Sequence, residues 1–272
     1  MTGLLARRAG RTLVALVASS VVILLLWEMA LHVLDVSPYI GKSPLEVWQY
    51  LFTDARFGPS AAENRAKLIG LLGVTLRDAG VGFVSGSLAS TALASVFFLV
   101  PQLELAFLPL AMLMRTVPLV GFAPIIYLVF GNGTPTVALI GTIIVFFPVL
   151  INLALGLRSA SPQAADLVRV YGGNRWTTLR MVAFPSALPN LFASVKIAIP
   201  LSLVAAMLYE WLFSLKGLGG EISVANAHSL YAETWAIAVI VAAVSIVVYN
   251  VVDFVEAPAL ALWGPNAGAF GS

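Results

Sequence analysis

The chain has 272 residues, a hydrophobic fraction of 60%, a charged fraction of 10% and a formal net charge of +2. Because an ordinary soluble domain is about 25% charged, this composition excludes one and predicts a protein of the lipid bilayer. The chain has no cysteine, which excludes disulfides and thiolate sites, and its few charges indicate membrane topology rather than nucleic-acid binding.

The first residues predict a cytoplasmic tail over 1–12. Basic residues near the end of a span favour the cytoplasmic side, and this tail contains Arg7, Arg8 and Arg11. The apolar run from Leu13 to Leu34 predicts a first span, because about twenty apolar residues cross a bilayer. No small-residue cleavage site follows it, so we interpret it as a retained helix rather than a signal peptide.

A long polar connection from Asp35 to about Lys67 comes next, and alternation of the spans places it outside. Within it, Ser43 and Pro44 predict the start of an amphipathic helix over 43–53 that lies on the outer surface.

The second span is predicted from about Leu71 to Val100, followed by a tight turn at Pro101 and Gln102. Its residues Gly82 and Gly86 have the small-xxx-small spacing that allows close helix approach. Both packing within one subunit and a dimer face fit this pattern, and we favour the first.

The third span is predicted from Leu105 to Phe130, with prolines at positions 109, 118 and 124. Proline interrupts helical hydrogen bonding, so we expect a kinked or broken helix, and freed carbonyls at membrane depth require protein or a water-lined path. This span is therefore the best candidate for a translocation wall. Arg115 within it either adds positive potential to an anion pathway or pairs internally to hold the helix.

Three more apolar runs complete six predicted spans with both termini inside. The fourth runs from Thr136 to about Leu157 and contains Asn152; the fifth runs from Ala187 to Phe213 and contains Lys196 and Glu210. We expect Lys196 to extend toward the inner face and Glu210 to be an interfacial carboxylate, with a gate or packing role as the alternative. The sixth span, from Thr234 to Val252, is followed by an internal segment, and the membrane domain as a whole covers 13–260, leaving a tail over 261–272.

One polar, basic segment interrupts the apolar sequence, between Ser161 and Pro189. It reads SPQAADLVRVYGGNRWTTLRMVAFPSALP. Ser161 is a suitable N-cap and Pro162 a suitable first residue, while Gly172 and Gly173 can stop a helix. The segment therefore predicts a short helix from Pro162 to Tyr171, and Asn174 predicts the cap of a second short helix.

The first of these helices is predicted to be amphipathic. Ala164, Leu167, Val168 and Tyr171 share one side at helical spacing. Gln163, Asp166 and Arg169 lie off that side, so the helix could press its apolar face on another protein. The alternative is a basic loop that only sets topology by its charge.

This segment resembles the cytoplasmic coupling loop of ABC importer permeases. That motif reads Glu-Ala-Ala, three residues, Gly, nine residues, Ile, any residue, Leu-Pro. Asp166 takes the acidic place and Gly172 the glycine, and after nine residues Val182 is followed by Ala183 and Phe184-Pro185. The two alanines are replaced here by Leu167 and Val168. The residues around the motif, Tyr-Gly-Gly-Asn-Arg-Trp and Phe-Pro-Ser-Ala-Leu-Pro, are most similar to those of the nitrate, sulfonate and taurine group of permeases.

The resemblance extends over roughly Ser43 to Val252 and implies an all-α, polytopic membrane protein with about six transmembrane helices and the type I, MetI-like permease fold. It implies two permease copies, two separate ABC ATPase subunits and an extracytoplasmic substrate-binding protein, in a bacterial inner membrane. It places the coupling loop at 161–185, with ATPase-coupling residues at Ala165, Asp166, Leu167, Arg169, Tyr171, Gly172, Arg175 and Trp176.

Catalytic motifs are missing from the sequence. It has no Gly-x-x-x-x-Gly-Lys-Ser/Thr phosphate loop, so we expect no ATP hydrolysis by this chain and a separate subunit that supplies the energy. His32 and His228 lack metal-ligand spacing, and no cofactor is expected. A membrane enzyme is a weak third reading, because no plausible nucleophile is found.

The predicted function is to form the translocation pathway for a small anionic solute of the nitrate, sulfonate or taurine kind. Candidate pathway residues are Arg115, Pro118, Asn152 and Glu210. The competing hypothesis is a secondary transporter or channel that works without an ATPase. That hypothesis explains the broken third span and the charges within spans, but it leaves the paired amphipathic helices without a task.

Overall fold

The computed structural model describes residues 2–56, 58–114 and 118–263, with the backbone alone for residues 2–17, Leu108 and Met114. Arg115 lies outside the described residues. The regular structure of the described part is helical throughout. In chain order the helices are α1 (Thr2–Val33), α2 (Pro44–Phe52), α3 (Ala61–Leu99), α4 (Pro101–Met114), α5 (Leu119–Phe130), α6 (Thr134–Arg158), α7 (Pro162–Val170), α8 (Arg175–Thr178), α9 (Phe184–Tyr209), α10 (Gly217–Ala227) and α11 (Tyr231–Trp263).

Four continuous helical stretches in the described residues are long and apolar enough to cross a membrane. They are Ala61–Leu99, Thr134–Arg158, Arg175–Ser214 and Tyr231–Trp263. Shorter apolar helices cover Ala18–Val33, Pro101–Leu113 and Leu119–Phe130. The predicted all-α, polytopic architecture is therefore confirmed.

The third predicted span is broken, as its prolines led us to expect. It consists of α4 and α5, and Pro118 stands at the N-cap of α5 with an extended backbone (ψ 108°). A proline at this position needs no backbone N–H. The tight turn predicted at Pro101 is wrong, because Pro101 is already the first residue of α4, a position that suits its fixed φ.

Several predicted boundaries were too narrow. The second span begins at Ala61, about ten residues early, because Ser60 and Glu63 cap the helix reciprocally in what was predicted to be a loop. The sixth predicted span corresponds to α11, which continues to Trp263 and includes most of the predicted internal segment. At the other end of the chain, α1 begins at Thr2, within the predicted tail. Polar residues extend these helices beyond their apolar runs, so hydropathy alone underestimates their length.

The second short helix of the polar segment is not a separate element. After α8 the chain passes through a π-helical turn, Leu179–Ala183, directly into α9, and a second π-helical turn, Glu210–Ser214, follows α9. Pro185 lies in the first turn of α9, where its missing N–H is tolerated. The predicted fifth span is thus the C-terminal part of one helical rod from Arg175 to Ser214.

The chain forms two compact units. The first contains residues 1–69 and 224–239. In it the predicted amphipathic helix is confirmed as α2, which Ser43 and Glu46 start with a reciprocal capping box. Its residues Val47 and Leu51 are buried, and Arg65 at the start of α3 donates to the Leu51 carbonyl oxygen over 2.6 Å.

The second unit contains residues 70–223 and 240–272. Its core lies where α6 packs along α9. Small residues of α3 allow that helix to pack closely against α6. The tightest approach is between Gly82 of α3 and Gly141 of α6, where a Cβ built on Gly141 would lie 2.3 Å from the Gly82 Cα. Gly86 is similarly close to Val145. The small residues of α3 therefore pack inside one chain, as we favoured.

Candidate functional site

The polar segment folds as a short capped helix, α7, as predicted. The Ser161 hydroxyl accepts a hydrogen bond from the Ala164 amide over 3.4 Å, and Pro162 is the first helical residue. The helix ends at Val170, and Gly172 follows with φ +80°. Only glycine adopts that conformation without a steric penalty, so the predicted glycine stop is confirmed.

The neighbouring Gly173 closes the turn. Its amide donates to the Val168 carbonyl oxygen over 2.8 Å, and a Cβ at this position would lie 2.4 Å from the Val168 Cγ1. The two glycines therefore serve different needs: Gly172 supplies the left-handed backbone and Gly173 supplies the space. Together they fix the angle at which α7 meets α8.

The prediction that one apolar face of α7 would contain both Leu167 and Val168 is wrong. Ala164, Ala165 and Val168 are partly buried. Leu167, Val170 (83% exposed) and Tyr171 (84% exposed) point outward. On the same helix Asp166 and Arg169 form an exposed ion pair at 3.0 Å. The protein thus presents apolar side chains beside an ion pair, and in the described part of the chain nothing buries them.

Residues after the glycines join this helix to the membrane rod. The Asn174 Oδ1 accepts the Thr177 amide over 2.9 Å and so caps α8, as predicted. Arg175 Nη1 donates to the Leu99 carbonyl oxygen at the end of α3 over 2.8 Å, which satisfies one of the unpaired carbonyls at that helix terminus. Trp176 of α8 is exposed as well.

A cleft of about 390 Å³ lies behind α7. Apolar and charged side chains share its wall, and they come from the ends of α3, α4, α6, α7 and α8. The lining residues are Phe97, Phe98, Pro101, Glu104, Leu105, Leu157, Arg158, Ala160, Ala165, Arg169, Arg175 and Thr178.

An ion pair between Glu104 and Arg158 crosses this cleft. The Glu104 side chain is buried, and both of its oxygens engage Arg158, one of them by accepting from Nε over 3.2 Å. Sequence reasoning assigned no role to Glu104. Its signal was a lone carboxylate at the edge of an apolar run, close to the level of Arg158, where a buried charge needs a partner.

Glu210 lies at the other end of the rod and is completely buried (0% exposed), so the prediction of an interfacial carboxylate is wrong. Its Oε2 accepts from the Thr75 hydroxyl at 2.9 Å and from the Gly219 amide at 2.8 Å. Gly217 allows this approach, because a Cβ there would lie 2.3 Å from the Glu210 Cδ. The glycine-rich first turn of α10 is thus packed around the carboxylate.

Tyr209 fixes a second loop beside it. Its hydroxyl donates to the Asn132 Oδ1 and accepts the Gly133 amide over 3.1 Å. Tyr209 therefore holds the turn between α5 and α6, and the next residue, Glu210, holds the start of α10. Sequence reasoning missed Tyr209 and Thr75, because only tertiary packing brings positions so distant in the chain together.

Of the other predicted pathway residues, the structure describes Pro118 and Asn152. Pro118 caps α5 and is exposed, while Asn152 is half-buried on α6. Among the described residues no hydrogen bond joins Asn152 to Glu210. Arg115, which falls outside the described part, is not placed relative to either.

We expected Lys196 to extend toward the inner face of the membrane. In the structure its side chain pairs with two carboxylates. Its Nζ contacts Asp253 and Glu256 of α11, and its side chain is only 15% exposed. The ammonium also lies 5.5 Å from the centre of the Tyr249 ring. A charge inside a span needs such partners, and these attach α11 to α9.

Among the described residues, no group of three His, Asp or Glu side chains is arranged to hold a metal ion. The candidate site consists of the exposed apolar side chains of α7, the cleft behind that helix and the cluster around Glu210 at the far end of the same rod.

Known proteins are similar in sequence to this chain. A family model described as the binding-protein-dependent transport system inner membrane component matches residues 82–257, well over half of the chain. The matched range includes the polar segment, the cleft and Glu210, but not Thr75.

Individual relatives agree with the family match. A probable ABC transporter permease protein of Haemophilus influenzae is 27% identical over 233 residues, which are 86% of this chain and 91% of that protein. The riboflavin transport system permease protein RibX of Chloroflexus aurantiacus is 36% identical over 124 residues, 46% of each chain. The nitrate import permease protein NrtB of Leptolyngbya laminosa is 27% identical over 148 residues, 54% of this chain and 53% of that protein.

Proposed function

This chain belongs to the family of binding-protein-dependent transport system inner membrane components, and from that premise we propose that two copies of it form the translocation pathway of an importer driven by two separate ABC ATPase subunits. It is a multi-pass membrane protein and the permease component of an ABC importer. In the proposed assembly, ATP is hydrolysed by the partner subunits and the permease itself is not catalytic.

The exposed face of α7 carries this proposal. Leu167, Tyr171 and Trp176 are large apolar side chains that point away from the rest of the described chain. Such clusters, rimmed by polar residues, mark protein interaction sites, and Asp166 with Arg169 supplies the rim. We assign this surface to a groove of the ATPase, with Ala165 and Arg175 supporting it from behind.

The continuous rod explains how movement of that surface could reach the membrane. From Arg175 to Ser214 the helix has no interruption other than its two π-helical turns. Gly172 fixes the direction of α7 relative to this rod. A displacement of α7 by the ATPase would therefore be carried along α9 to Glu210 and the loops it holds.

The pathway itself is assigned to the broken third span and its neighbours. Pro118 interrupts that span, and Asn152 offers a polar side chain on α6. Glu210 would border the pathway through the glycine-rich start of α10, which it holds in place. Arg115 would add positive potential near mid-membrane, which favours an anionic cargo.

The cargo is proposed to be a small anion of the nitrate, sulfonate or taurine kind, delivered by a substrate-binding protein. One relative is named for nitrate import and another for riboflavin transport, and the nitrate relative supports the choice. Both termini and α7 are assigned to the cytoplasm of a bacterial inner membrane, with α2 outside. Basic residues near span ends support this orientation.

A secondary transporter without an ATPase is the alternative. The broken third span and Lys196 would suit it, but Lys196 is paired with Asp253 and Glu256 and so is accounted for structurally. The exposed face of α7 would have no task in such a protein, and we therefore prefer the ATP-driven importer.

The test is purification of the tagged chain from its own organism, followed by reconstitution in liposomes. We expect a phosphate-loop ATPase to copurify and uptake to require ATP and the substrate-binding protein. Uptake by the chain alone, driven by an ion gradient, would overturn the proposal.

A matched pair of variants tests the assigned surface. Trp176→Ala should release the ATPase, because this residue lies on the proposed interface, whereas Trp211→Ala should retain it. Both tryptophans are similarly exposed, 57% and 53%, and they lie near opposite ends of one rod. Equal retention of the ATPase by both variants would refute the assignment of this face.

A further inference from the structure

The cleft behind α7 combines an apolar wall with an excess of positive charge. Phe97 and Leu157 form its buried floor, each 1% exposed. The volume of about 390 Å³ is within the usual range for a small-ligand site. Leu167 and Tyr171 lie on the other side of α7 from the cleft, whereas Arg169 lines the cleft and also borders the proposed ATPase interface.

Its charges do not cancel. Three arginines, Arg158, Arg169 and Arg175, and one carboxylate, Glu104, line the cleft, a formal sum of +2. Glu104 neutralises Arg158, and Asp166 outside the lining pairs with Arg169.

Arg175 is different from the other two arginines. Its contact is with a neutral carbonyl oxygen, that of Leu99, and no carboxylate pairs with it among the described residues. A guanidinium has five N–H donors, so this group retains donors and a full charge for an anion.

An exposed apolar track leads out of the cleft along α4. Leu105 stands at its mouth and is 76% exposed, and Pro109 and Met112 follow on the same side of the helix, also exposed. Spacings of four and three residues place these side chains in one row, about 10 Å long at 1.5 Å per residue. A ligand with an acidic head and a hydrocarbon chain would match both parts.

We propose that this cleft binds the headgroup of an anionic phospholipid, with Arg175 and Arg169 on the phosphate and an acyl chain along Leu105, Pro109 and Met112. Arginine binds phosphate oxygens with paired, charge-assisted hydrogen bonds. Basic pockets between membrane helices are known to take acidic lipid headgroups. A free anion would use the arginines but would leave the apolar track bare.

The lipid would act on the coupling surface from behind. Arg169 belongs to α7 and Arg175 to α8, on either side of the Gly172 turn, so one phosphate would bridge both helices. Bridging would hold the angle between them and make the orientation of the exposed face depend on the acidic lipid content of the membrane. This regulatory consequence depends on the proposed function, whereas lipid binding itself does not.

The experiment measures lipid retention by the purified full-length chain. The chain is delipidated in a neutral detergent, mixed with equal amounts of phosphatidylglycerol and phosphatidylcholine of identical acyl chains, and examined by native mass spectrometry. Both lipids carry the same phosphate, but phosphatidylcholine adds a choline cation that the positive cleft repels, so we expect phosphatidylglycerol to be retained about tenfold more, and the preference to shrink at high salt. Equal retention of the two lipids would overturn the proposal.

Variants locate the site. Arg175→Gln and Arg169→Gln should each lose most of the preference, while Arg180→Gln should keep it, because Arg180 is exposed and does not line the cleft. Arg175→Lys retains the charge and controls for a folding defect caused by losing the Leu99 contact; it should keep a clear preference. A preference unchanged in Arg175→Gln would exclude this cleft.

A soluble competitor distinguishes a lipid from a free phosphate. Glycerol 3-phosphate presents a phosphate monoester, more negative than the lipid phosphodiester, without acyl chains, and at the lipid concentration it should fail to displace phosphatidylglycerol. Displacement at equal concentration would show a site for soluble anions and would refute the lipid assignment. Because the chain is tested without any ATPase, these results stand apart from the test of the importer.

Discussion

Thr75 of α3 donates its hydroxyl hydrogen to Glu210 at the end of α9, over 2.9 Å, although 135 residues separate them in the chain. The same hydroxyl oxygen accepts the Leu218 amide over 2.9 Å. One side chain thus links a membrane helix, a buried carboxylate and the start of α10. Thr75 and Glu210 together hold the start of α10 at the end of the helical rod that lies opposite α8.

Removing this hydroxyl should destabilise the protein. In Thr75→Val the shape is nearly conserved, but the Leu218 amide loses its acceptor and Glu210 loses a donor. Leaving buried polar groups unsatisfied costs about 1–3 kcal/mol, which thermal unfolding in detergent should detect as a lowered midpoint.

Ser87 provides the control on the same helix. Its hydroxyl oxygen is buried without a hydrogen-bond partner in the described part of the protein, so Ser87→Ala should leave the unfolding midpoint unchanged or raise it. Equal losses in Thr75→Val and Ser87→Ala would contradict the role assigned to the cluster.

The contact between Gly82 and Gly141 predicts a second stability effect. Gly141→Ala should force α3 and α6 apart, because the added Cβ would lie 2.3 Å from the Gly82 Cα, and overpacking of this kind costs about 1–3 kcal/mol. Gly80→Ala on α3 meets nothing within 4 Å and should change stability by less than about 1 kcal/mol. Thermal unfolding of the two variants side by side would measure the difference, and indistinguishable midpoints would disprove the close approach.

Gly172 should be essential for coupling but not for insertion. Its φ of +80° costs about 1–2 kcal/mol for a residue with a Cβ, and Gly172→Val adds a β-branched side chain where open space surrounds the glycine. We expect the variant to insert normally while ATP hydrolysis no longer supports uptake in proteoliposomes. Normal uptake per ATP hydrolysed would argue against a fixed angle between α7 and α8.

The start of α2 should depend on pH. Burial acts to raise the pKa of Glu46, but the Ser43 backbone amide and then Lys42 lower it by more, so the net pKa lies below its usual range. A depressed folded-state pKa contributes stability above the unfolded value of about 4.3, and this contribution is lost as the pH falls through the folded value.

Hydrogen exchange of α2 amides can measure this effect. Protection should be lower in Glu46→Gln than in the wild type at pH 7, and the difference should shrink at acidic pH below about 4. Glu63→Gln, which alters the cap of the next helix, serves as the control and should leave α2 protection unchanged. A difference that is the same at both pH values would rule out the carboxylate as its source.

Local signals in the sequence were sufficient for the apolar spans and for the caps of α2, α7 and α8, but not for the cap at Ser60 or for α10. The apolar runs predicted spans because backbone groups in lipid must be satisfied within a helix, and Ser43, Ser161 and Asn174 were recognised as caps because capping depends on neighbours within three residues. The prolines of the third span predicted its break for the same local reason. These features depend on short stretches of chain, which a single sequence contains in full.

Long-range contacts could not be inferred in this way. Nothing near Glu210 in the sequence indicates Thr75, and nothing near Arg158 indicates Glu104, because each pair is joined only when distant helices pack. The side of α7 occupied by Leu167 was also misjudged, since burial of a short helix depends on what lies behind it. The sequence alone determined the membrane class, the apolar spans, the caps of α2, α7 and α8 and the coupling motif, whereas the tertiary structure decided which charges are paired, which cleft they line and which face remains exposed, because those properties depend on packing between distant segments.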